Sequence, residues 1–260
     1  MSRTCRKKEG DPLIIKLTDL GTAFSLLTRV PLRHHWVDPD RLAASAWAFP
    51  CVGFVVGGLC GLILLLAQMA GLTPEIAAIL ALGAMILITG GLHEDGLADS
   101  ADGLGGGSSK ERALDIMKDS RIGTYGTLIL VLFVIARWSC LTDLAQLNPV
   151  LGMAWIGAVS RLPMVALMAG MTHARDDGLS RHVGRPDSGH VMIAIAITAL
   201  ITLMILGLWG VLAMVAVVAS TLPLAYLALR KIGGQTGDIL GGAQQCAELT
   251  ALIILVMIWI

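Results

Sequence analysis

From residue 46 to the end, the chain repeats one pattern: a stretch of Ala, Leu, Ile, Val, Met and Gly about as long as a membrane is thick, then a short connection. A helix rises about 1.5 Å per residue, so about 20 apolar residues cross a hydrocarbon core of about 30 Å. On that measure, spans are predicted at Ala46–Ala70, Glu75–Leu92, Tyr125–Leu141, Val150–Met171, Val191–Leu208 and Val211–Leu229. A seventh, Ala243–Ile260, is short and carries Glu248 near its start. In lipid every backbone amide must find its partner inside the protein, so such a chain folds as helices. The expected class is all-α: a polytopic integral membrane helical bundle of about seven spans. Composition agrees, with 55% hydrophobic and 15% charged residues, against about 25% charged in soluble domains. The 30 glycines suit close helix–helix approach in lipid. The five cysteines have no paired short spacing, which suggests neither a zinc site nor a disulfide framework.

The connections orient the bundle. Gly71–Pro74, Thr142–Pro149 and Gly207–Gly210 contain no Lys or Arg. The alternate connections hold Lys110, Arg112, Lys118 and Arg121, then Arg175, Arg181 and Arg185, then Arg230 and Lys231. The N-terminus, with Arg3, Arg6, Lys7 and Lys8, lacks the apolar core and cleavage site of a signal peptide and reads as a cytoplasmic tail. Every cationic segment then lies on one side, which the positive-inside rule makes cytoplasmic. Residues 1–45 are expected to form this tail plus an interfacial helix in Leu13–Arg33, followed by a turn at Pro31. The long polar loops, 93–124, 172–190 and 230–242, open to one compartment and can build one site within a single domain, 1–260.

The densest chemistry is GGLHEDGLADSADGLGGG, residues 90–107. Asp95, Asp99 and Asp102 are spaced i, i+4, i+7 on one helix face. Crowded carboxylates repel unless a cation neutralises them, and a hard, oxygen-liganded ion such as Mg²⁺ fits, recruiting substrate phosphate oxygens. His93 and Glu94 are weaker candidates, since either could simply be exposed on the opposite face. In KERALDIMKDSRIGTYG, residues 110–126, Glu111 and Asp115 read as a solvated, self-paired face. Asp119, Ser120 and Arg121 end that helix before a Gly-rich turn, and an acid, a hydroxyl and a cation there suit a phosphate. In 231–252, glycines including Gly237 let backbone approach a ligand, while Asp238 and Glu248 bring charge into or beside an apolar span. Of two arginines inside spans, Arg137 is expected near the outer end of its helix, snorkelling or paired with Asp143. Arg161 either balances a buried carboxylate or faces substrate. The cations of 172–190 either hold an anionic substrate or enforce topology.

These motifs resemble the membrane-bound cobalamin synthases, the adenosylcobinamide-GDP ribazoletransferases of bacterial B12 biosynthesis. GGLHEDGLADSADGLGGG followed by ALDIMKDSRIGTYG carries the likeness, and FSLLTRVPL (24–32) and GGQTGDILGGAQQCAEL (233–249) extend it over nearly the whole chain. Glu94 departs from it, standing where an apolar residue is common. The resemblance implies a Mg²⁺-dependent transferase that joins adenosylcobinamide-GDP to α-ribazole or its 5′-phosphate and releases GMP. On this basis Asp95, Asp99 and Asp102, with Asp238 and Glu248 as helpers, hold the metal. Ser120, Arg121, Arg161 and Gly237 contact the substrates, and a carboxylate not bound to metal, with Asp119 a candidate, takes the hydroxyl proton. Expected partners are these small molecules and membrane lipids, with a homo-oligomer left open and no nucleic acid; the expected location is the bacterial inner membrane. Two rivals share part of the pattern. A CDP-alcohol phosphotransferase also sets aspartates at helical spacing beside a membrane, but its following Ala-Arg and later paired Asp are missing here. A cation transporter would place its acids at mid-membrane rather than in a loop.

Overall fold

The architecture is that of a computed structural model, which describes residues 15–147 and 149–259. After α1 (Leu17–Leu27), short 3-10 turns lead to α2 (Phe49–Met69), α3 (Pro74–Thr89), α4 (Leu92–Gly106) and α5 (Lys110–Lys118). These are followed by α6 (Thr124–Leu144), α7 (Pro149–Gly170), α8 (Leu179–Val183), α9 (Ser188–Leu206), α10 (Trp209–Ala219), α11 (Leu222–Ile232) and α12 (Gly237–Trp259). Among the described residues β pairing is confined to an isolated bridge between His173 and Gln235.

Among the described residues six helices are long and apolar enough to cross a membrane, with α10 and α11 counted as one run, Trp209–Ile232. A seventh is reached if α3 and α4 are counted as one broken span, since α3 leads into α4 through a bend of 85°. Two consecutive glycines make that bend: Gly90 and Gly91 have φ of 69° and 70°, a region side-chain-bearing residues seldom adopt. The turn sets α4 against α6 and α12, and its aspartates with it.

Small residues set the packing. Gly53, Gly57 and Gly61 form a four-residue repeat on α2 that lies directly on the backbone of α7. A Cβ on Gly53 would overlap the carbonyl oxygen of Gly157, and one on Gly57 that of Met153. Helix association in lipid depends on such close van der Waals contact, because tails solvate large apolar side chains as well as another helix does. Leu128, Val131, Leu132 and Ile135 of α6 and Met192, Leu200 and Met204 of α9 point outward, as a lipid-facing surface requires. On the other side of α7, α12 packs against both α7 and α4, and Gly96 of α4 meets Asp238 and Gly241 of α12.

Several expectations need correcting. The last span begins at Gly237 rather than Ala243, and the connection before it is short, Gly233–Thr236. A glycine inside a helix costs about 1 kcal/mol, but Gly241 here permits the contact with α4 that a side chain would obstruct. The helix expected in Leu13–Arg33 is Leu17–Leu27; the start expected at Leu13 and the basic tail lie outside the described residues. Arg137 is neither snorkelling nor paired with Asp143. It is buried, 1% exposed, and faces inward to Glu94 and Glu248.

Candidate active site at the loop end of the bundle

The three polar segments meet. Gln235 donates its backbone N–H to the Thr172 carbonyl at 2.8 Å, and Ala174 donates back to Gln235 at 2.9 Å. Lys118 pairs with Asp177 at 2.6 Å, and Arg175 reaches Asp238 at 3.5 Å. Lys231 donates to the Leu104 carbonyl at the end of α4. Bonds of this kind across loops far apart in sequence hold one floor under the bundle.

Within it, the three aspartates of α4 have different surroundings. Asp102 is buried and accepts from the backbone N–H groups of Gly123, at 2.7 Å, and Gly126, at 2.9 Å. Its carboxylate thus satisfies the unpaired amides at the start of α6, where negative charge is favoured. Asp95 is exposed and Asp99 half-buried, and neither has a hydrogen-bond or ion-pair partner among the described residues. Asp95, Asp238 and Asp102 are all close enough to repel the charge on Asp99. Asp238, in the first turn of α12, accepts from the Thr236 hydroxyl at 3.1 Å.

Two clefts open beside these acids and share Leu92 and Asp95. The polar one, with about 1190 Å³ of free space, is lined by Arg29, Asp99, Lys118, Asp119 and Ser120. The second, of about 680 Å³, is largely hydrocarbon and ends at His93, Asp238 and Arg175. Near the polar cleft, Asp119 and Arg121 form a forked pair, Nε to Oδ1 at 3.1 Å and Nη2 to Oδ2 at 2.7 Å. Arg121 holds the Asp119 carboxyl down at about 2. Ser120 is exposed at the cleft, and Gly237 opens α12 at the wall of the apolar cleft.

Glu248 and Arg161 are not brought to the polar cleft. Glu248 is buried among Arg137 at 2.6 Å, Arg161 at 3.9 Å and Gln244 at 2.6 Å. Arg161 also donates to the Gly157 carbonyl at 3.0 Å. Arg137 joins this centre to α4, where it meets Glu94 at 2.8 Å. Of the two readings open for His93 and Glu94, exposure on the opposite face is not the one found: both point inward. Glu94 ties α4 to α6, and His93 is 1% exposed. Their direction follows from the packing of α4 against α6 and α12, which helical spacing alone does not reveal. Arg29 is a further residue at the polar cleft to which the sequence assigned no role.

Among the described residues no cluster of three or more His, Cys, Asp or Glu could hold a metal unaided. Mg²⁺ takes oxygen ligands, keeps waters and is usually bound by one or two carboxylates together with substrate phosphates, and the unpartnered Asp95 and Asp99 are the carboxylates at the polar cleft that suit this mode.

Fold and site together define a polytopic membrane protein with a two-cleft, acid-lined site at one end of its bundle. The chain belongs to the cobalamin-5-phosphate synthase family, whose profile matches residues 19–256. It is 43% identical over 243 residues to a Bradyrhizobium diazoefficiens protein named adenosylcobinamide-GDP ribazoletransferase, covering 92% of this chain and 93% of that one. Proteins of the same name from Brucella ovis and Brucella canis are 41% identical over 250 residues, covering 92% of this chain and 96% of theirs. No solved structure matches. The match over nearly the whole chain favours this family over both rivals.

Proposed function

We propose that the protein joins adenosylcobinamide-GDP to α-ribazole, or its 5′-phosphate, at the cytoplasmic face of a bacterial inner membrane, and that the reaction needs Mg²⁺. One observation carries the chemistry: unpartnered Asp95 and Asp99 face a cleft whose other walls bring Arg29, Lys118 and the Ser120 hydroxyl. Acids that hold a divalent ion beside cations that hold phosphate oxygens suit a diphosphate. The Lys and Arg of the connecting segments support the cytoplasmic assignment.

A ribazole hydroxyl attacks the phosphorus attached to cobinamide, the new P–O bond forms, and the bond to the bridging oxygen breaks as GMP departs. Asp95, Asp99 and Asp238 would hold Mg²⁺; bound there, the ion offsets diphosphate charge and polarises phosphoryl oxygens. Arg29, with Lys118 once it leaves Asp177, would orient the diphosphate. Asp102 acts by anchoring α6 to α4, which keeps the Gly123–Gly126 turn beside the cleft. The proton of the attacking hydroxyl passes to a carboxylate outside the metal set. Asp119 becomes basic enough for this once Arg121 turns from it to a phosphate oxygen.

The test is purified protein in nanodiscs given adenosylcobinamide-GDP, α-ribazole phosphate and Mg²⁺. One GMP released per cobalamin phosphate formed supports the reading. Intact donor after prolonged incubation, or lipid made instead from a CDP-alcohol, overturns it.

A further inference from the structure

The apolar cleft has no use in holding a diphosphate, yet it opens onto the same carboxylate. Its walls are Leu27 of α1, Phe49 of α2, Met164 and Met168 of α7, Val183 of α8 and Leu240 of α12. His93 also lines it, 1% exposed and with neither ring nitrogen bonded to another residue. A buried polar group without a partner costs about 1–3 kcal/mol. Such a group at the wall of a hydrocarbon cleft is suited to a ligand that is mostly apolar and carries one hydrogen-bonding atom there. The lining also includes Asp95, Asp238 and Arg175, which suit hydroxyls.

We infer that this cleft is the acceptor site: it takes the dimethylbenzimidazole ring of α-ribazole, and the His93 imidazole donates a hydrogen bond to the ring nitrogen that is not attached to ribose. The inference rests on the proposed reaction for the identity of the acceptor. The ring is flat, aromatic and methylated, which matches walls of Phe49, Met164 and Met168, since methionine sulfur packs well on aromatic rings. Its free nitrogen is a single acceptor, which matches a single buried donor. Seated this way, the base points its ribose toward Asp95, the residue where the two clefts join. The acceptor hydroxyl then emerges beside the diphosphate. His93 is thereby a specificity-determining residue: it distinguishes a benzimidazole from a hydrocarbon ring of the same shape.

The test is equilibrium binding of α-ribazole to the full chain in nanodiscs, without donor or Mg²⁺, followed through the fluorescence of the base. A second ligand is the indole riboside, in which C–H replaces the free ring nitrogen. Wild type should bind α-ribazole about three- to tenfold more tightly than the indole riboside, the range for one hydrogen bond. His93→Ala should bind both ligands equally and weakly, and His93→Gln should restore part of the preference. Leu179→Trp, at the partly exposed wall of the cleft, should weaken both ligands together. Equal binding of the two ligands by wild type, or unchanged α-ribazole binding in both His93→Ala and Leu179→Trp, overturns the assignment. A protein that binds α-ribazole as described but releases no GMP would keep the cleft and overturn the proposed reaction. Normal turnover with equal binding of the two ligands would do the reverse.

Discussion

Arg137 Nη2 of α6 lies 2.6 Å from Glu248 Oε1 of α12, with both side chains almost wholly buried. The same guanidinium reaches Glu94 of α4 at 2.8 Å and Gln245 of α12 at 3.0 Å. One cation therefore fastens the helix that carries the aspartates to two helices of the bundle. The flanking Glu94 precedes Asp95, so strain at this centre is felt at the cleft.

Removing one partner from a buried pair leaves an uncompensated charge and costs about 3–5 kcal/mol. Arg137→Ala is expected to lower thermal stability in detergent by that amount and to reduce turnover. Arg137→Lys should rescue little, because an ammonium cannot present the planar fork that spans two carboxylates. Adding Glu248→Gln to Arg137→Ala should recover part of the loss. Wild-type melting of Arg137→Ala would contradict the role given to the pair.

The aspartates of α4 should separate by what each one holds. Asp99→Asn removes a charge from a repelling group, so it should abolish turnover while leaving metal-free stability equal to wild type or higher. Asp102→Asn places an amide donor against one of two backbone N–H groups and should cost about 1–3 kcal/mol. Melting curves together with GMP release distinguish the two. Equal stability of both variants would remove Asp102 from its structural role.

Asp19, at the start of α1, supplies a pH test away from the cleft. Burial raises its pKa, but Arg41, with Nε 2.6 Å from Oδ1, the Lys16 amide and the Trp47 indole outweigh this and hold it below its ordinary value of 3.8. A carboxyl lowered in the folded state contributes stability above that value, and the contribution is lost as pH falls through it. The wild-type advantage over Asp19→Asn in melting temperature should therefore be full at pH 6 and shrink below about pH 4. A difference independent of pH would exclude the ion pair as its source.

At the crossing of α2 and α7, Gly57→Leu should prevent stable folding, because its Cβ alone overlaps the Met153 carbonyl. Gly83→Leu is the control, since nothing lies within 4 Å of a Cβ there. Comparable yields of folded protein from both would contradict the backbone contact.

Most spans were legible because bilayer thickness fixes their length: among the described residues, long apolar helices cover the predicted spans that begin at Ala46, Tyr125, Val150, Val191 and Val211. The start of α12 was hidden because glycine reads as a loop residue in one dimension, and only the approach of Gly96 reveals why Gly241 belongs in a helix. Helical spacing grouped Asp95, Asp99 and Asp102, but not that the third would be taken by the amides of Gly123 and Gly126. Glu248 seemed free to join them because nothing local marks Arg137, more than a hundred residues earlier, as its partner. A residue's partners across the bundle decide what its charge can do, and these depend on helix rotation, which a single sequence leaves open.

The account depends on the polar cleft binding a diphosphate through acids and a divalent ion. The direct measurement is equilibrium binding of adenosylcobinamide-GDP to the protein in nanodiscs, with and without Mg²⁺, for wild type and Asp99→Asn. Tight binding by wild type that needs Mg²⁺, and that Asp99→Asn loses even with Mg²⁺ present, is the predicted result. Equally tight binding by both proteins in the presence of a chelator would contradict it.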